Sequence, residues 1–182
     1  DLQGQANCFH RLGDIYKKCE DDQRAWENYE TANGLYQKAG DKLGQANCQL
    51  CFGDFLRDEG KVDCALRYYT IANSLYDDVG STFGIADCVK RFGDITTGEE
   101  ACQHYQKALS LYQRVHALRG EANCLQRLGD IYSKICNTEK AREKYNDAII
   151  IFEELGDNEW VEITKLKRRR LEQQQQQQQQ QQ

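Results

Sequence analysis

Apolar residues recur in this chain at intervals of about 3.6 residues, which predicts amphipathic helices. The stripe predicted for the first helix, over residues 3–18, comprises Ala6, Phe9, Leu12, Ile15 and Tyr16. A polar break at residues 20–22 precedes a second stripe, which comprises Ala25, Tyr29, Ala32, Leu35 and Tyr36. We therefore predict two helices, with Asp21 or Asp22 capping the second and Gly40 ending it in the left-handed conformation.

The same two-helix plan returns three times. Each copy opens on a glycine that is 40, 40 or 36 residues beyond the previous one: Gly4, Gly44, Gly84 and Gly120. A repeat of this length predicts an array in which each helix pair buries its apolar face against the next. The third copy is four residues short near Thr96–Gly98. Four residues are about one helical turn, so its second helix can keep the same apolar face.

These repeats set the predicted organisation of the chain. The predicted segments are four repeats at 1–40, 41–80, 81–116 and 117–156, a capping helix with a basic run at 157–172, and a polyglutamine tract at 173–182. Thr138 is the expected cap of the second helix in the fourth repeat, and Trp160, Ile163 and Leu166 are the expected stripe of the capping helix. The basic run has a nuclear-targeting or anion-binding role as its alternative. The glutamines are expected to be disordered or to continue the helix in frayed form.

Charge and composition exclude several classes of function. A net charge of −5 argues against a general nucleic-acid binder, which needs a basic face. No run approaches the ~20 apolar residues of a membrane span, and the opening residues are not expected to be a signal peptide. The chain opens without Met inside a repeat, so we expect a fragment of a longer protein. The expected location is the cytosol, with the nucleus as the alternative.

The nine cysteines are expected to be free thiols rather than disulfide or zinc ligands. Four occupy the same place in each repeat: Cys8, Cys48, Cys88 and Cys124. Equivalent positions on stacked helices lie about 8–10 Å apart, too far for a disulfide. Small buried residues at a helix contact explain them more simply. Cys48 and Cys51 form a C-x-x-C in mid-helix, where packing is again expected and redox or metal binding is the alternative.

The spacing of small and aromatic residues resembles the tetratricopeptide repeat family. The three full-length copies that match are Gly13, Ala25, Tyr29 and Ala32; Gly53, Ala65, Tyr69 and Ala72; and Gly129, Ala141, Tyr145 and Ala148. The resemblance implies an all-α fold, a right-handed α-solenoid of antiparallel helix pairs with about four repeats plus a C-terminal helix. The long repeat is similar to a subgroup that includes Pins-type scaffolds and the repeat tails of fungal NACHT-type sensors.

The resemblance also implies that the first helix of each repeat lines a concave groove that binds a partner. Three rows of residues would face it: Asn7, Asn47, Asp87 and Asn123; His10, Leu50, Lys90 and Gln126; and Asp14, Asp54, Asp94 and Asp130. The amides would grip a peptide backbone and the acids would select basic groups. The alternative is that each aspartate pairs locally, with Arg11, Arg91 or Arg127. The aspartates replace the asparagine of the carboxylate-clamp members, which disfavours a receptor for chaperone tails.

The function predicted from these features is a non-enzymatic protein-interaction module, an adaptor or scaffold. The three histidines share no spacing with a nucleophile, and no phosphate-binding loop or metalloprotease motif is present. No catalytic residue, cofactor or metal is therefore predicted. The expected partner is a protein or peptide, basic or helical, with no nucleic acid involved. The alternative is a sensor or autoregulatory arm whose ligand is another domain of the same protein.

Overall fold

The computed structural model describes residues 1–180, and all regular secondary structure in that range is α-helical. The helices are α1 Leu2–Lys18, α2 Asp22–Ala39, α3 Lys42–Asp58, α4 Val62–Asp78, α5 Thr82–Ile95, α6 Gly98–Arg114, α7 Leu118–Lys134, α8 Thr138–Glu154 and α9 Asn158–Gln180. None of these helices is both long and apolar enough to span a bilayer.

The chain divides into two compact units, Asp1–Ile95 and Thr96–Gln182. The division falls where the third repeat lacks four residues, and α5 is correspondingly the shortest helix, with 14 residues. In the first unit, each helix packs on its neighbours in sequence, and α3 also contacts α1 and α5. The repeat-opening helices α1, α3 and α5 therefore form one layer, while α2 and α4 form the other.

The helices begin and end where local chemistry favours it. Asp21 and Asp41 cap α2 and α3 by accepting hydrogen bonds from the backbone N–H groups of Arg24 and Gly44. Gly40 ends α2 with φ +70°, a conformation that costs glycine little. One predicted cap was wrong: Asn137, not Thr138, caps α8, and its side chain accepts from the Lys140 N–H.

A tyrosine from each second helix fills the space beside a glycine of a first helix. Tyr69 in α4 is fully buried against Gly53 in α3, where an added Cβ would lie 2.6 Å from Tyr69 Cδ1 and would also meet Cε1. Gly13 and Tyr29 make the same contact in the first helix pair. Glycine is needed here because the aromatic ring occupies the volume of its missing side chain. The buried alanines of the predicted second-helix stripes pack beside these rings.

A cysteine is buried in each of the repeat-opening helices α3, α5 and α7. Cys48, Cys88 and Cys124 are completely buried, as the packing explanation predicts, whereas Cys8 on α1 is exposed. All nine cysteines lie among the described residues and are free thiols. Burial raises the pKa of the Cys88 thiol to about 12, with nearby charges as smaller causes, so this thiol stays protonated and behaves as a small apolar group.

Part of the stripe predicted for α1 is wrong. Leu12 and Ile15 are 40% and 55% exposed. The equivalent residues of α3, Phe52 and Phe55, are buried against Trp26 of the preceding helix α2. No helix precedes α1 in the described residues, so Leu12 and Ile15 have no such cover.

Part of the stripe predicted for α9 is also wrong, although Ile163 is partly buried. Val161, Thr164 and Leu171 are buried, whereas Trp160 and Leu166 are exposed. The reason is register: Thr164 follows Gly156 by the same eight residues that separate Cys48 from Gly40 and Cys88 from Gly80. The α9 helix therefore packs on α8 in the manner of one more repeat-opening helix, and it continues through the glutamines to Gln180.

Candidate protein-interaction surface

Nine of the twelve predicted groove residues lie in the first unit, on the layer formed by α1, α3 and α5. They are Asn7, His10, Asp14, Asn47, Leu50, Asp54, Asp87, Lys90 and Asp94. Asn123, Gln126 and Asp130 lie on α7 in the second unit. Each row position recurs on the same face of its helix, because the repeats share one register.

The aspartate row is anchored by tyrosine hydroxyls. In three repeats, the tyrosine that packs on the central glycine donates a hydrogen bond to the aspartate that follows this glycine. The pairs are Tyr29 with Asp14 at 2.7 Å, Tyr69 with Asp54 at 2.8 Å, and Tyr145 with Asp130 at 2.8 Å. Burial raises the pKa of these phenols, and their partner carboxylates raise it further. The hydroxyls therefore stay protonated and hold one carboxylate oxygen in place.

Two of the aspartates also have a cation partner from the next first helix. Arg91 of α5 holds Asp54 of α3 through both of its carboxylate oxygens, with Nη2 at 2.8 Å from Oδ2. Burial alone would raise the pKa of Asp54, but the hydrogen bonds and charge of Arg91, with the charge of Arg57, lower it overall. In the second unit, Lys167 of α9 bonds both carboxylate oxygens of Asp130.

Asp94 is paired on its own helix. Lys90 lies one turn before it on α5, with its ammonium 3.1 Å from Asp94 Oδ2, and Arg57 of α3 is 3.9 Å away. Asp54, Asp94 and Asp130 are therefore each paired with a basic side chain, as the local-pairing alternative expects. That alternative names Arg91, the observed partner of Asp54, whereas Lys90 and Lys167 were not among the expected cations.

Asp14 differs from the other three aspartates. The residue at the place of Arg91 and Lys167 is Cys51, and the nearest basic side chain is His10, whose Nδ1 lies 3.6 Å from Asp14 Oδ2. Burial lowers the pKa of His10, and the attraction of Asp14 only partly opposes this. The imidazole is therefore neutral near pH 7 and supplies Asp14 with no full positive charge.

The amide row is anchored by a second set of tyrosines. The Tyr36 hydroxyl donates to Asn7 Oδ1 and the Tyr76 hydroxyl donates to Asn47 Oδ1, both at 2.6 Å. With their oxygens engaged, the two exposed amides keep their N–H₂ groups to offer to another molecule. A cavity of about 390 Å³ lies between them, lined by Asn7, His10, Arg11, Asp14, Tyr36 and Asn47.

Two predicted groove residues are not at the surface. Leu50 is 6% exposed and belongs to the core of the first unit. Gln126 is 3% exposed and donates a hydrogen bond of 2.7 Å to Thr164 of α9. A partner docked on the repeat-opening helices in this conformation would not reach either side chain.

The basic run of α9 takes part in packing. Besides Lys167, Lys165 pairs with Glu153 at 2.9 Å and Arg168 bonds Asn146 at 2.6 Å, both in α8. Arg169 and Arg170 are exposed. The run therefore contributes to attaching α9 to α8.

Sequence reasoning named Arg91 as an alternative partner for an aspartate, but it missed Lys167, which reaches back to Asp130 in the same way. Arg91 lies 37 residues after Asp54, and Lys167 lies 37 residues after Asp130. This spacing is within one period of the repeat and could have been found by aligning the copies. It also missed a second cavity of about 350 Å³, lined by Asp22, Gln23, Trp26, Glu27, Phe55 and Glu59.

Comparison with known proteins supports the assignment that this geometry suggests. Residues 96–154 match the family model described as tetratricopeptide repeat. A search of curated proteins gave no match.

Several solved structures share the fold. The aspartyl phosphate phosphatase F of Bacillus subtilis superposes with a TM-score of 0.81 at 13% identity, covering 91% of this chain and 44% of that one. A Signal Transduction ATPase with Numerous Domains that has a tetratricopeptide repeat sensor, from Pyrococcus horikoshii, gives 0.73 at 17% identity, covering 90% and 26%. BtubC from P. vanneervenii gives 0.55 at 16% identity, covering 94% and 91%.

The chain is thus an α-solenoid of stacked helix pairs, and its residues 96–154 match the tetratricopeptide repeat family. It spans less than half the length of the first two of these structures.

Proposed function

We propose that this chain is a non-enzymatic adaptor or scaffold module that holds an extended peptide or helix on the layer formed by α1, α3 and α5. The observation that carries the proposal is the pair of amides, Asn7 and Asn47. Both are exposed, both are oriented by a tyrosine hydroxyl, and both border one open cavity. Side chains held in place before binding lose less conformational entropy when a partner arrives.

The amides suit the main chain of a peptide. Their free N–H₂ groups would donate to backbone carbonyls, which every sequence offers, so they would contribute affinity rather than sequence preference. Preference would come from the charges around them. Asp14 is about half exposed, and Asp87 beside Arg91 is partly exposed. The surface therefore favours a basic or amide-bearing group near Asp14.

A peptide-library binding screen on the complete chain tests the proposal. We expect Asn7→Ala with Asn47→Ala to weaken binding of the selected peptides at least tenfold, because two oriented donors are removed. Asn28→Ala is the matched control, since Asn28 is an asparagine of α2 whose amide bonds the backbone of its own helix. Tyr36→Phe should weaken binding less, since Asn7 remains but loses its anchor.

Two results would contradict the proposal. One is equal binding by the double variant and the parent chain. The other is equal loss of binding in the Asn28 variant, which would place the partner on the opposite layer.

A second candidate function is a sensor or autoregulatory arm of a larger protein. It is favoured by the fold shared with the Pyrococcus horikoshii ATPase that has a tetratricopeptide repeat sensor. The parent protein's remaining sequence distinguishes the two functions. An NTPase module in the same polypeptide, bound by this chain in a purified two-component assay, would favour the sensor. A peptide from a different protein would favour the adaptor.

A further inference from the structure

His10, Asp14 and Cys51 meet at the junction between α1 and α3, on one side of the cavity described above. One potential ligand atom from each lies within 4.8 Å of the other two. The Cys51 sulfur is 4.0 Å from His10 Nε2, and Asp14 Oδ2 is 3.6 Å from His10 Nδ1. Cys51 and His10 are partly buried and Asp14 is exposed, so the cluster is accessible from solvent.

Two other junctions show what is unusual here. Arg91 reaches back to Asp54, and Lys167 reaches back to Asp130, each across 37 residues. Cys51 stands at the same 37-residue distance from Asp14. A thiol has therefore replaced the cation, and it is this same junction that has a histidine, His10, one turn before its aspartate.

We propose that this junction binds a zinc ion, with His10, Asp14 and Cys51 as its three protein ligands. Imidazole, carboxylate and thiolate are the groups that coordinate Zn²⁺ in proteins. The ion supplies the positive charge that Arg91 and Lys167 supply to the other aspartates. A fourth position stays open to water, as at sites with three protein ligands.

An imidazole binds an ion through one nitrogen, so the three ligand atoms, which lie within 4.8 Å of one another, must move closer together to hold it. Zinc lies about 2.3 Å from sulfur and about 2.0 Å from nitrogen, so their separation in a tetrahedral site is about 3.5 Å. Cys51 Sγ lies 4.0 Å from His10 Nε2, close to this value, whereas Asp14 Oδ2 lies 3.6 Å from the other ring nitrogen, Nδ1. A rotation of the imidazole or the carboxylate is therefore needed to bring all three ligand atoms to one ion. His10 and Asp14 are one turn apart on one face of α1, the i, i+4 spacing by which a helix presents two ligands to one metal.

The surroundings also orient the ligands. The Tyr29 hydroxyl bonds Asp14 Oδ1 at 2.7 Å, which fixes the carboxylate and leaves Oδ2 on the histidine side. Such bonds to the outer atom of a ligand steady metal sites. Burial, with the added effect of nearby carboxylates, raises the pKa of Cys51 to about 12, so the free thiol is protonated. Binding then replaces this proton, which passes to solvent, and no electron transfer is involved.

The test measures metal binding by the complete chain, first stripped of metal with a chelator. The probes are Zn²⁺ alone and Co²⁺ alone, because Co²⁺ bound to thiolate gives a charge-transfer absorption band. The four exposed cysteines could bind metal adventitiously and are first replaced by serine, giving a background that carries Cys8→Ser, Cys19→Ser, Cys64→Ser and Cys136→Ser. We expect one cobalt ion per chain in this background, displaced by zinc.

Three variants locate the site. Cys51→Arg should abolish the band and should fold, because it gives Asp14 the arginine that Asp54 has in Arg91. His10→Gln should weaken binding at least tenfold, since even outer-sphere partners of a metal contribute about 10–100-fold. Cys48→Ala removes the other thiol of the C-x-x-C, which is completely buried, and should leave the band unchanged.

A second readout does not depend on absorption. Zinc should raise the thermal midpoint of the background protein but not that of Cys51→Arg, because only a chain that binds the ion in its folded state is stabilised by it. The proposal is overturned if no saturable site is found, if the band survives Cys51→Arg, or if Cys48→Ala abolishes it. This test involves no peptide, so its failure is distinguishable from failure of the proposed function, in which Asp14 selects basic groups when the ion is absent.

Discussion

Replacing Gly53 by alanine tests whether the close contact between helix layers depends on the absence of a side chain. An added Cβ at this position would lie 2.6 Å from Tyr69 Cδ1 and 3.1 Å from Cζ. Tyr69 cannot move aside readily, because it is fully buried and also contacts the ring of Phe92. The substitution must therefore separate α3 from α4 or force the ring off its preferred rotamer.

The expected magnitude is the balance of two terms. Overpacking a core destabilises a protein by about 1–3 kcal/mol. We take the upper end of this range, about 3 kcal/mol, because the Tyr69 ring is held on both sides. Alanine is better than glycine inside a helix by about 1 kcal/mol. We therefore expect Gly53→Ala to lower the free energy of unfolding by about 2 kcal/mol. With a urea slope of about 2 kcal/mol per molar, the midpoint falls by about 1 M.

Gly34 provides the matched control. It lies inside α2, and an added Cβ would have no heavy atom within 4 Å. Gly34→Ala should benefit from the higher helix propensity of alanine without any overpacking. It should therefore raise the free energy of unfolding by about 0.5–1 kcal/mol. Urea titrations followed by far-ultraviolet circular dichroism measure both variants against the parent chain.

A double variant identifies the ring as the cause. Tyr69→Leu removes the aromatic ring, so Gly53→Ala should lower the free energy of unfolding much less in that background than in the parent chain. The double variant should therefore be more stable than the sum of the two single effects predicts. The reasoning is refuted if Gly53→Ala is as stable as the parent, or if its cost is unchanged when Tyr69 is leucine.

Further substitutions test the hydrogen bonds beneath the candidate surface. Asp54→Asn should lower the free energy of unfolding, because Arg91 and Tyr69 lose a charged acceptor. The expected loss in urea titrations is about 1.5–3 kcal/mol, the range for hydrogen bonds to charged groups. Folding lowers the pKa of Asp54, so the stability that its carboxylate contributes is complete above the ordinary carboxyl pKa range and is lost as the pH falls. The parent chain should therefore lose stability in acid more steeply than this variant. Gln126→Ala should cost about 1–3 kcal/mol through the lost bond to Thr164 and the cavity left, with the loss measured by the same titration. Removing residues 173–182 should leave the thermal midpoint unchanged, because the glutamines at 173–177 are almost entirely at the surface; a drop of several degrees would contradict this.

The sequence alone determined the local structure and the repeat. Apolar periodicity located the helix pairs, and Gly40 and Asp41 marked the junction between two of them, since capping depends on groups only a few residues apart. The repeated Gly, Ala and Tyr positions indicated close helix packing. In the first unit, the structure shows this as a tyrosine ring packed against a central glycine, as Tyr69 packs against Gly53.

Only the tertiary structure decided which side chains meet across repeats. Leu12 and Ile15 share the register of Phe52 and Phe55, yet they are exposed because burial depends on the presence of a neighbouring helix. Leu50 occupies a predicted surface row and is buried. The aspartate row looks uniform in the sequence, but Asp54 binds an arginine while Asp14 faces a histidine and a thiol. Periodicity fixes the face on which a residue lies, whereas its partner comes from a helix about forty residues away, and one substitution there changes the chemistry of the site.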